Sequence, residues 1–453
     1  MKIDASLLKS IAKGSRLKED GRGFSGVSTD TRQRMENGLF VPLKGERFDG
    51  HRFIEQAIEA GATGALWHEQ EPVPKQLPET FQLYYVEDTL KALQALAQAY
   101  REKVNPFVIG ITGSNGKTTT KDIVASVLAG TATVHKTKGN LNNHIGVPLT
   151  LLSMPEDCTY AVVEMGMNHA GEISTLTQIA KPNAAIITSI GDAHIEHLGS
   201  REGIAAAKME IADGLIKESW LLFDGDEPLL SPYNEQAETT VGFSDQAATK
   251  ISDVDALENG YVFSMNGARW QLTMLGKHNV KNAAYAILLA QKLGLSNAVI
   301  QKQLSSLAIT GMRLEKLNGP NGSTIINDAY NANPTSMKAA IETVKELPHY
   351  KRRVLVLGDI YELGQDEKAL HKSVAAAIEP PITDVVTVGK KGRWIYEAQR
   401  DKKDCRISLV HADTVAEAAE ILKPYYTKDT VVLIKASRGL ALEEVLPAVK
   451  GGN

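Results

Sequence analysis

One stretch constrains this chain more than any other: Pro106-Phe-Val-Ile-Gly-Ile-Thr-Gly-Ser-Asn-Gly-Lys-Thr-Thr-Thr120. Phe107 to Thr112 is short, apolar and rich in β-branched residues, the composition of a buried strand. Gly113 and Gly116 supply the backbone freedom for a sharp turn. Beyond Lys117, the residues Ile123, Val124, Val127 and Leu128 recur at helical spacing, so a helix begins there. A strand, a Gly-rich turn and a helix opening with Lys-Thr make a cradle for phosphate. Amide N–H groups and the positive end of the helix face the anion. Gly113, Ser114, Asn115, Gly116, Lys117, Thr118 and Thr119 are therefore the expected nucleotide contacts. Lys117 can reach the β- and γ-phosphates, and Thr118 can offer its hydroxyl to Mg²⁺. The fit is inexact. The common phosphate loop carries a glycine five residues before its second one; here Ile111 stands there and Gly113 takes over the turn.

The bulk properties bound what a nucleotide could be used for. A chain of 453 residues predicts about three domains. An apolar share of 43% and a charged share of 23% are those of a soluble globular protein. The net charge of −4 offers no global attraction to nucleic acid or to an anionic membrane, so anionic substrates need local cations. Two cysteines, Cys158 and Cys405, make no disulfide framework. The start, Met1-Lys-Ile-Asp-Ala-Ser, lacks a signal-peptide core, and no apolar run reaches membrane-spanning length. A cytoplasmic monomer is expected, with no nucleic-acid partner and no membrane insertion.

Residues 1–85 read as a small α/β domain. Strands at Leu39–Leu43 and Gly64–Trp67 flank a helix from Phe53 to Ala60, closed by Gly61. Polar loops sit at Ser28-Thr-Asp-Thr-Arg32 and Phe48-Asp-Gly-His51. The central domain, 86–312, opens with a helix over 89–103 that places Leu90, Leu93, Leu96, Ala97 and Tyr100 on one face. Strands at Tyr160–Gly166 and Ala184–Gly191 follow. They carry Glu164, and His194 just beyond, to strand carboxyl ends, where parallel sheets collect ligands. A helix then carries Lys208, and Gly276-Lys-His-Asn-Val-Lys-Asn282 opens another over Ala283–Leu293. Thr310-Gly-Met-Arg313 reads as a hinge. Residues 313–453 read as a second, Rossmann-like doubly wound sheet with strands at Ser323–Asn327, Arg353–Gly358, Asp384–Gly389 and Thr430–Ala436. Taken singly, the candidates outside the phosphate loop are weak. A strand-end Glu is more often solvated than metal-bound, Lys208 could pair with a carboxylate on its own helix, and Asn279 and Asn282 could cap a helix. Mg²⁺ also prefers oxygen to imidazole.

Taken together, these motifs resemble those of the Mur ligases, the ATP-dependent amide-forming enzymes of peptidoglycan synthesis. Gly113-Ser-Asn-Gly-Lys-Thr-Thr119 is similar to that family's form of the phosphate loop. Gly276–Asn282 resembles its base-side motif, and Ala207-Lys-Met-Glu210 resembles the segment whose lysine is carbamylated in several members. Four further stretches resemble the member that joins D-alanyl-D-alanine to UDP-N-acetylmuramoyl-tripeptide. They are Gly139-Asn-Leu-Asn-Asn-His-Ile-Gly-Val-Pro148, Glu164-Met-Gly-Met-Asn-His-Ala-Gly-Glu-Ile173, Asp328-Ala-Tyr-Asn-Ala-Asn-Pro334 and Gly358-Asp-Ile-Tyr-Glu-Leu-Gly364. The Asp-Asn-Pro-Arg motif usual in the diaminopimelate-adding sister does not occur in the sequence.

The resemblance implies three α/β domains: a small N-terminal one, a central phosphate-loop ATPase with a parallel sheet, and a Rossmann-like C-terminal one. It implies ATP, two Mg²⁺ ions, a carbamylated Lys208 and an acyl-phosphate intermediate. Lys117, His194 and Lys208 would be catalytic. Thr118 and Glu164 would hold one Mg²⁺, and His194 and Lys208 the other. Asn279 and Asn282 would lie near adenine, while Arg313 and Asp328 would reach ATP once the domains close. Ser28, Asp30, Arg32, Lys44 and Phe48 would take the UDP end of the acceptor. Asn140, Asn142 and Asn143 would contact the acceptor, and Asn331, Ser336 and Arg438 the dipeptide. Other readings are a sister ligase acting on UDP-muramoyl-dipeptide, a folate polyglutamate synthetase, and a non-ligase nucleotide switch.

Overall fold

The computed structural model describes residues 3–17, 23–45, 48–192, 195–402 and 406–446. The chain divides into two compact units. One comprises 1–112, 131–186 and 207–221; the other comprises 113–130, 187–206 and 222–453.

The first unit begins with a five-stranded sheet in the order Gly14–Ser15, Gln82–Val86, Ala62–His68, Gly38–Phe40, Gly26–Ser28. All pairings are parallel except the short antiparallel edge Gly14–Ser15. The helix Ile54–Glu59 closes a core of Met35, Phe40, Ile54, Trp67, Phe81 and Leu83. Strand Gly38–Phe40 is shorter than the expected Leu39–Leu43. Pro42 has no amide hydrogen with which to extend the ladder, and its carbonyl is taken by the Thr89 hydroxyl at 2.6 Å. The helix Thr89–Val104 follows as expected. The Asp88 carboxylate caps it by accepting the Leu90 and Lys91 amides. It buries Leu93, Leu96, Ala97 and Tyr100. Strand Phe107–Thr112 then pairs in parallel with Tyr160–Glu164, which pairs with Val134–Lys136. Val108, Ile109 and Ile111 are all fully buried, as a strand covered on both faces requires.

The second unit begins with the helix Lys117–Leu128. A three-stranded antiparallel sheet, Ser252–Leu257, Gly260–Met265 and Ala268–Leu272, was not anticipated from sequence. The helix expected over Ala283–Leu293 begins earlier, at His278, and ends at Lys292. Asn279 and Asn282 therefore lie within it rather than before it. A six-stranded sheet follows in the order Glu315–Asn318, Thr324–Asn327, Thr430–Lys435, Arg352–Leu357, Asp384–Val388, Ser408–Ala412. Only its first strand is antiparallel. Its side chains alternate by face. Leu355, Leu357, Val431 and Leu433 pack with Met337, Ile341 and Ile395 from helices on one side. Val354, Val356, Val432 and Ile434 pack with Ala418 and Leu422 on the other. This is the doubly wound sheet expected for the C-terminal region.

Among the described residues, Cys158 is a buried free thiol; Cys405 lies outside them. No described helix is long and apolar enough to cross a membrane.

Candidate nucleotide and substrate sites

In the second unit, two glycines shape the phosphate loop. Gly113 has φ +147°, and a Cβ there would lie 1.9 Å from Thr188 Oγ1. Gly116 has φ +83°, and its Cβ would meet Asn282 Oδ1 at 2.9 Å. Both the backbone conformation and the lack of space require glycine. The loop is laced to residues 188–191. Ser114 N donates to Ser189 O (2.9 Å), Asn115 N to Ser189 Oγ (3.0 Å), and Gly191 N to Ser114 Oγ (2.9 Å). Gly116 then caps the helix Lys117–Leu128 without any side-chain hydrogen bond. The first-turn amides of such a helix have no intrahelical acceptors, the arrangement by which helix N-termini bind anions. The Lys117 side chain folds back over the loop, its Nζ donating to Gly113 O at 2.7 Å.

Several expected residues gather around this loop. Asn282 and Asn279 are buried and bonded to each other, Asn282 Nδ2 donating to Asn279 Oδ1 at 2.8 Å, while Asn279 Nδ2 donates to Leu275 O. Asn282 packs closely against the loop at Gly116. Arg313 Nη2 donates to Thr118 Oγ1 at 2.9 Å, and its guanidinium stacks 4.3 Å from the Tyr330 ring centroid. Asp328 is one residue removed from that contact: its Oδ1 accepts the Leu314 amide (3.1 Å) and its Oδ2 pairs with Lys435 Nζ (2.6 Å).

Of the expected dipeptide residues, Asn331 accepts the Lys435 ammonium at its backbone carbonyl, and Arg438 pairs with Glu443. Ser336 completes a capping box with Asn333 at the start of the helix Pro334–Glu346. Sequence reasoning passed over Asn333 itself, whose Nδ2 donates to Asn115 Oδ1 at 2.7 Å. Asn333-Pro334 was legible as a helix start, but its contact with a residue 218 positions away was not.

The first unit holds the remaining candidates. Glu164 is 3% exposed at the end of strand Tyr160–Glu164. Its Oε1 accepts Asn142 Nδ2 at 2.9 Å, and its backbone amide donates to Thr137 Oγ1. Asn143 serves locally, accepting the Ile145 and Gly146 amides where the helix Gly146–Leu152 starts. Asn140 is exposed beside them. Lys208 lies on the helix Arg201–Met209 with 2% exposure. The nearby Glu210 turns away to accept the Gly171 and Ser174 amides, at the favourable positive end of the helix Glu172–Ala180. His194 lies outside the described residues.

Around the N-terminal sheet, Ser28 Oγ accepts the Asp30 amide, and Arg32 grips Asp30 through two parallel hydrogen bonds of 2.9 and 2.8 Å. That grip holds the Asp30 carboxyl down to about 2. Lys44 pairs with Asp49 and Glu71. Phe48, 57% exposed, stacks on Phe53.

Three family models match along the chain: Mur ligase family, catalytic domain, over residues 23–101; Mur ligase middle domain, over 111–290; and Mur ligase, glutamate ligase domain, over 312–438. The UDP-N-acetylmuramoyl-tripeptide–D-alanyl-D-alanine ligase of Bacillus subtilis (strain 168) is 47% identical over 426 residues, covering 93% of this chain and 92% of that protein. The chain belongs to the Mur ligase family. A crystal structure of MurF from Acinetobacter baumannii matches this Mur ligase with a TM-score of 0.87 and 30% identity over 98% of both chains. The MurF ligase of Thermotoga maritima in complex with ADP matches with a TM-score of 0.81 and 28% identity, over 93% of this chain and 96% of that one. The expected three-domain α/β architecture with parallel sheets is thus the family's own.

Proposed function

We propose that the protein joins the free carboxylate of UDP-N-acetylmuramoyl-tripeptide to the amine of D-alanyl-D-alanine, with ATP converted to ADP and phosphate, in cytoplasmic peptidoglycan precursor synthesis. The observation that carries this reading is the end-to-end likeness to the Bacillus subtilis ligase, in a chain whose phosphate loop is fully formed.

A carboxylate and an amine do not condense in water unaided. Attack of the carboxylate on the γ-phosphorus gives an acyl phosphate; attack of the amine on its carbonyl then expels phosphate. Such chemistry asks a protein mainly for positioning and charge neutralisation. The loop amides and Lys117 hold the phosphates, with the ammonium placed where negative charge accumulates during transfer. Arg313, lying over the Tyr330 ring, adds a second cation at the same helix turn. The Thr118 hydroxyl is a hard oxygen donor of the kind Mg²⁺ takes, as is the buried Glu164 carboxylate, and by the family likeness we assign each as a Mg²⁺ ligand. When bound, Mg²⁺ neutralises the phosphate oxygens. We assign Lys208 as a carbamate: an ammonium would be repelled by the metal, whereas CO₂ adding to the neutral amine, with loss of a proton, leaves an anionic oxygen donor.

In this reading residues 1–85 take the UDP end of the acceptor through Ser28, Asp30, Arg32, Lys44 and Phe48. Residues 86–312 hold ATP and the acceptor carboxylate, and residues 313–453 bring the dipeptide. The test is phosphate release from ATP by the purified protein. Turnover should require both UDP-N-acetylmuramoyl-tripeptide and D-alanyl-D-alanine. Equal turnover without the dipeptide, or turnover supported by UDP-muramoyl-dipeptide and a single amino acid, would overturn it.

A further inference from the structure

Three hydrogen bonds tie residues 308–313 to one face of the helix Lys117–Leu128. Ala308 N donates to Ser126 Oγ (3.4 Å), Thr310 N to Asp122 Oδ2 (2.8 Å), and Arg313 Nη2 to Thr118 Oγ1 (2.9 Å). The acceptors are four residues apart, so they form a single stripe along the helix. The segment runs antiparallel to that stripe. The three contacts are unequal. Ser126 makes a long bond at an exposed position, whereas Asp122 is fully buried and gives a short, charge-assisted one. A buried carboxylate is costly in a helix unless its oxygens are used. One Asp122 oxygen takes the Thr310 amide; the other lies 3.6 Å from Lys121 Nζ.

The backbone around Arg313 needs such an anchor. Met312 has φ +60° and Leu314 φ +49°, so two non-glycine residues in the left-handed region flank the arginine. That conformation is unfavourable for such side chains and persists only when surrounding contacts impose it. Downstream, Asp328 Oδ1 holds the Leu314 amide. At Met312 the amide is held by Glu315 Oε2 at 2.9 Å. Upstream, the buried hold is Asp122 on Thr310.

We infer that Asp122 is a positioning residue for Arg313. By fixing the linker on the helix that leaves the phosphate loop, it sets where the guanidinium is delivered. Asp122 touches neither nucleotide nor acceptor in this role. The inference rests on the assignment of Arg313 to the nucleotide made above, and it links the loop helix to the strand that opens the C-terminal sheet.

The test combines amide hydrogen exchange over residues 308–313 with a double-mutant cycle. In the wild type the Thr310 amide should be protected. Asp122→Ala should accelerate its exchange at least about 10-fold and lower kcat/KM for ATP by about 10-fold, the worth of one charge-assisted hydrogen bond. In an Arg313→Ala background the same change should cost less than about 2-fold, because the group it positions is gone. Asp122→Asn, which keeps an acceptor oxygen, should restore protection and most of the activity. If Asp122→Ala fails to fold, Thr310→Pro removes the same bond from the exposed linker side and replaces it in the cycle. A fast-exchanging Thr310 amide in the wild type, or an equal cost in both backgrounds while Arg313→Ala is itself impaired, overturns this inference alone. Full activity of Arg313→Ala overturns the nucleotide assignment and the inference with it.

Discussion

Lys435 closes the strand Thr430–Lys435 with a side chain only 3% exposed. Its ammonium lies 2.6 Å from Asp328 Oδ2 and 3.1 Å from Asn331 O. Asp328 is 14% exposed, so this is a largely desolvated pair. Lys435→Met preserves length and most of the volume, and little cavity forms. What remains is a carboxylate without its counter-charge. Removing one partner of a buried pair costs about 3–5 kcal/mol. Asp328 keeps the Leu314 amide and some contact with solvent, which places the expected loss near the lower bound, about 3 kcal/mol. Asp328→Asn in the same background removes the stranded charge and leaves an acceptor for Leu314. It should recover about 2 kcal/mol, a coupling typical of residues in direct contact. Urea unfolding followed by tryptophan fluorescence reads this locally. Of the four tryptophans only Trp394 lies beyond residue 313, on the helix Gly389–Arg400, which packs on the same sheet through Ile395. A Lys435→Met protein within about 1 kcal/mol of the wild type, or a double variant no more stable than the single one, would refute the stranded-charge reasoning.

Lys117→Ala should lower turnover by at least about 100-fold, the scale of losing one electrostatic stabiliser at the reacting group; near-normal phosphate release from a folded variant rejects the role given to the loop lysine. Lys208→Ala should lose activity that acetate partly restores, because the small acid replaces a missing carboxylate; full activity without additive ends the carbamate assignment. Asp30, held by Arg32 at about 2 against an ordinary 3.8, should contribute stability above the ordinary value and lose it as pH falls through about 2. Arg32→Ala removes the guanidinium but keeps the Arg32 amide that Asp30 also accepts, so the carboxyl ¹³C titration should move part of the way toward the ordinary range, and an unmoved midpoint would assign the depression to another cause.

Where local chemistry decides structure, the sequence was easy to read. The strand Phe107–Thr112 and the helix beginning at Lys117 have the expected limits, because apolar β-branched residues, two glycines and helical spacing all favour one arrangement. The C-terminal sheet was legible for the same reason: its central strands are continuous apolar runs, as strands covered on both faces must be. The antiparallel sheet was missed although its signal was present. Asn266 and Gly267, both with positive φ, form the Asn-Gly turn that joins Gly260–Met265 to Ala268–Leu272. Asn-Gly between alternating apolar residues is a strong hairpin signature. The partner strand Ser252–Leu257 is mostly exposed, and its composition alone does not call for a strand.

The site divides along a different line. Asn143 and Ser336 were expected at substrate, yet both answer to nearby backbone: each is engaged at a helix start a few residues away. Asp122 and Asn333 reach residues remote in sequence, Asn333 through Nδ2 while its Oδ1 also caps its own helix at Ser336. Short-range capping is written in the neighbouring residues, so it can be read from sequence. Long-range service leaves only an anomaly, such as a buried carboxylate on a helix whose neighbouring rows are built from Ile123, Val124, Val127 and Leu128. Asp122 was such an anomaly. Its burial converts it from a residue of no evident purpose into one whose partners must be found, and one of them is the Thr310 amide, three residues before the arginine that meets Thr118.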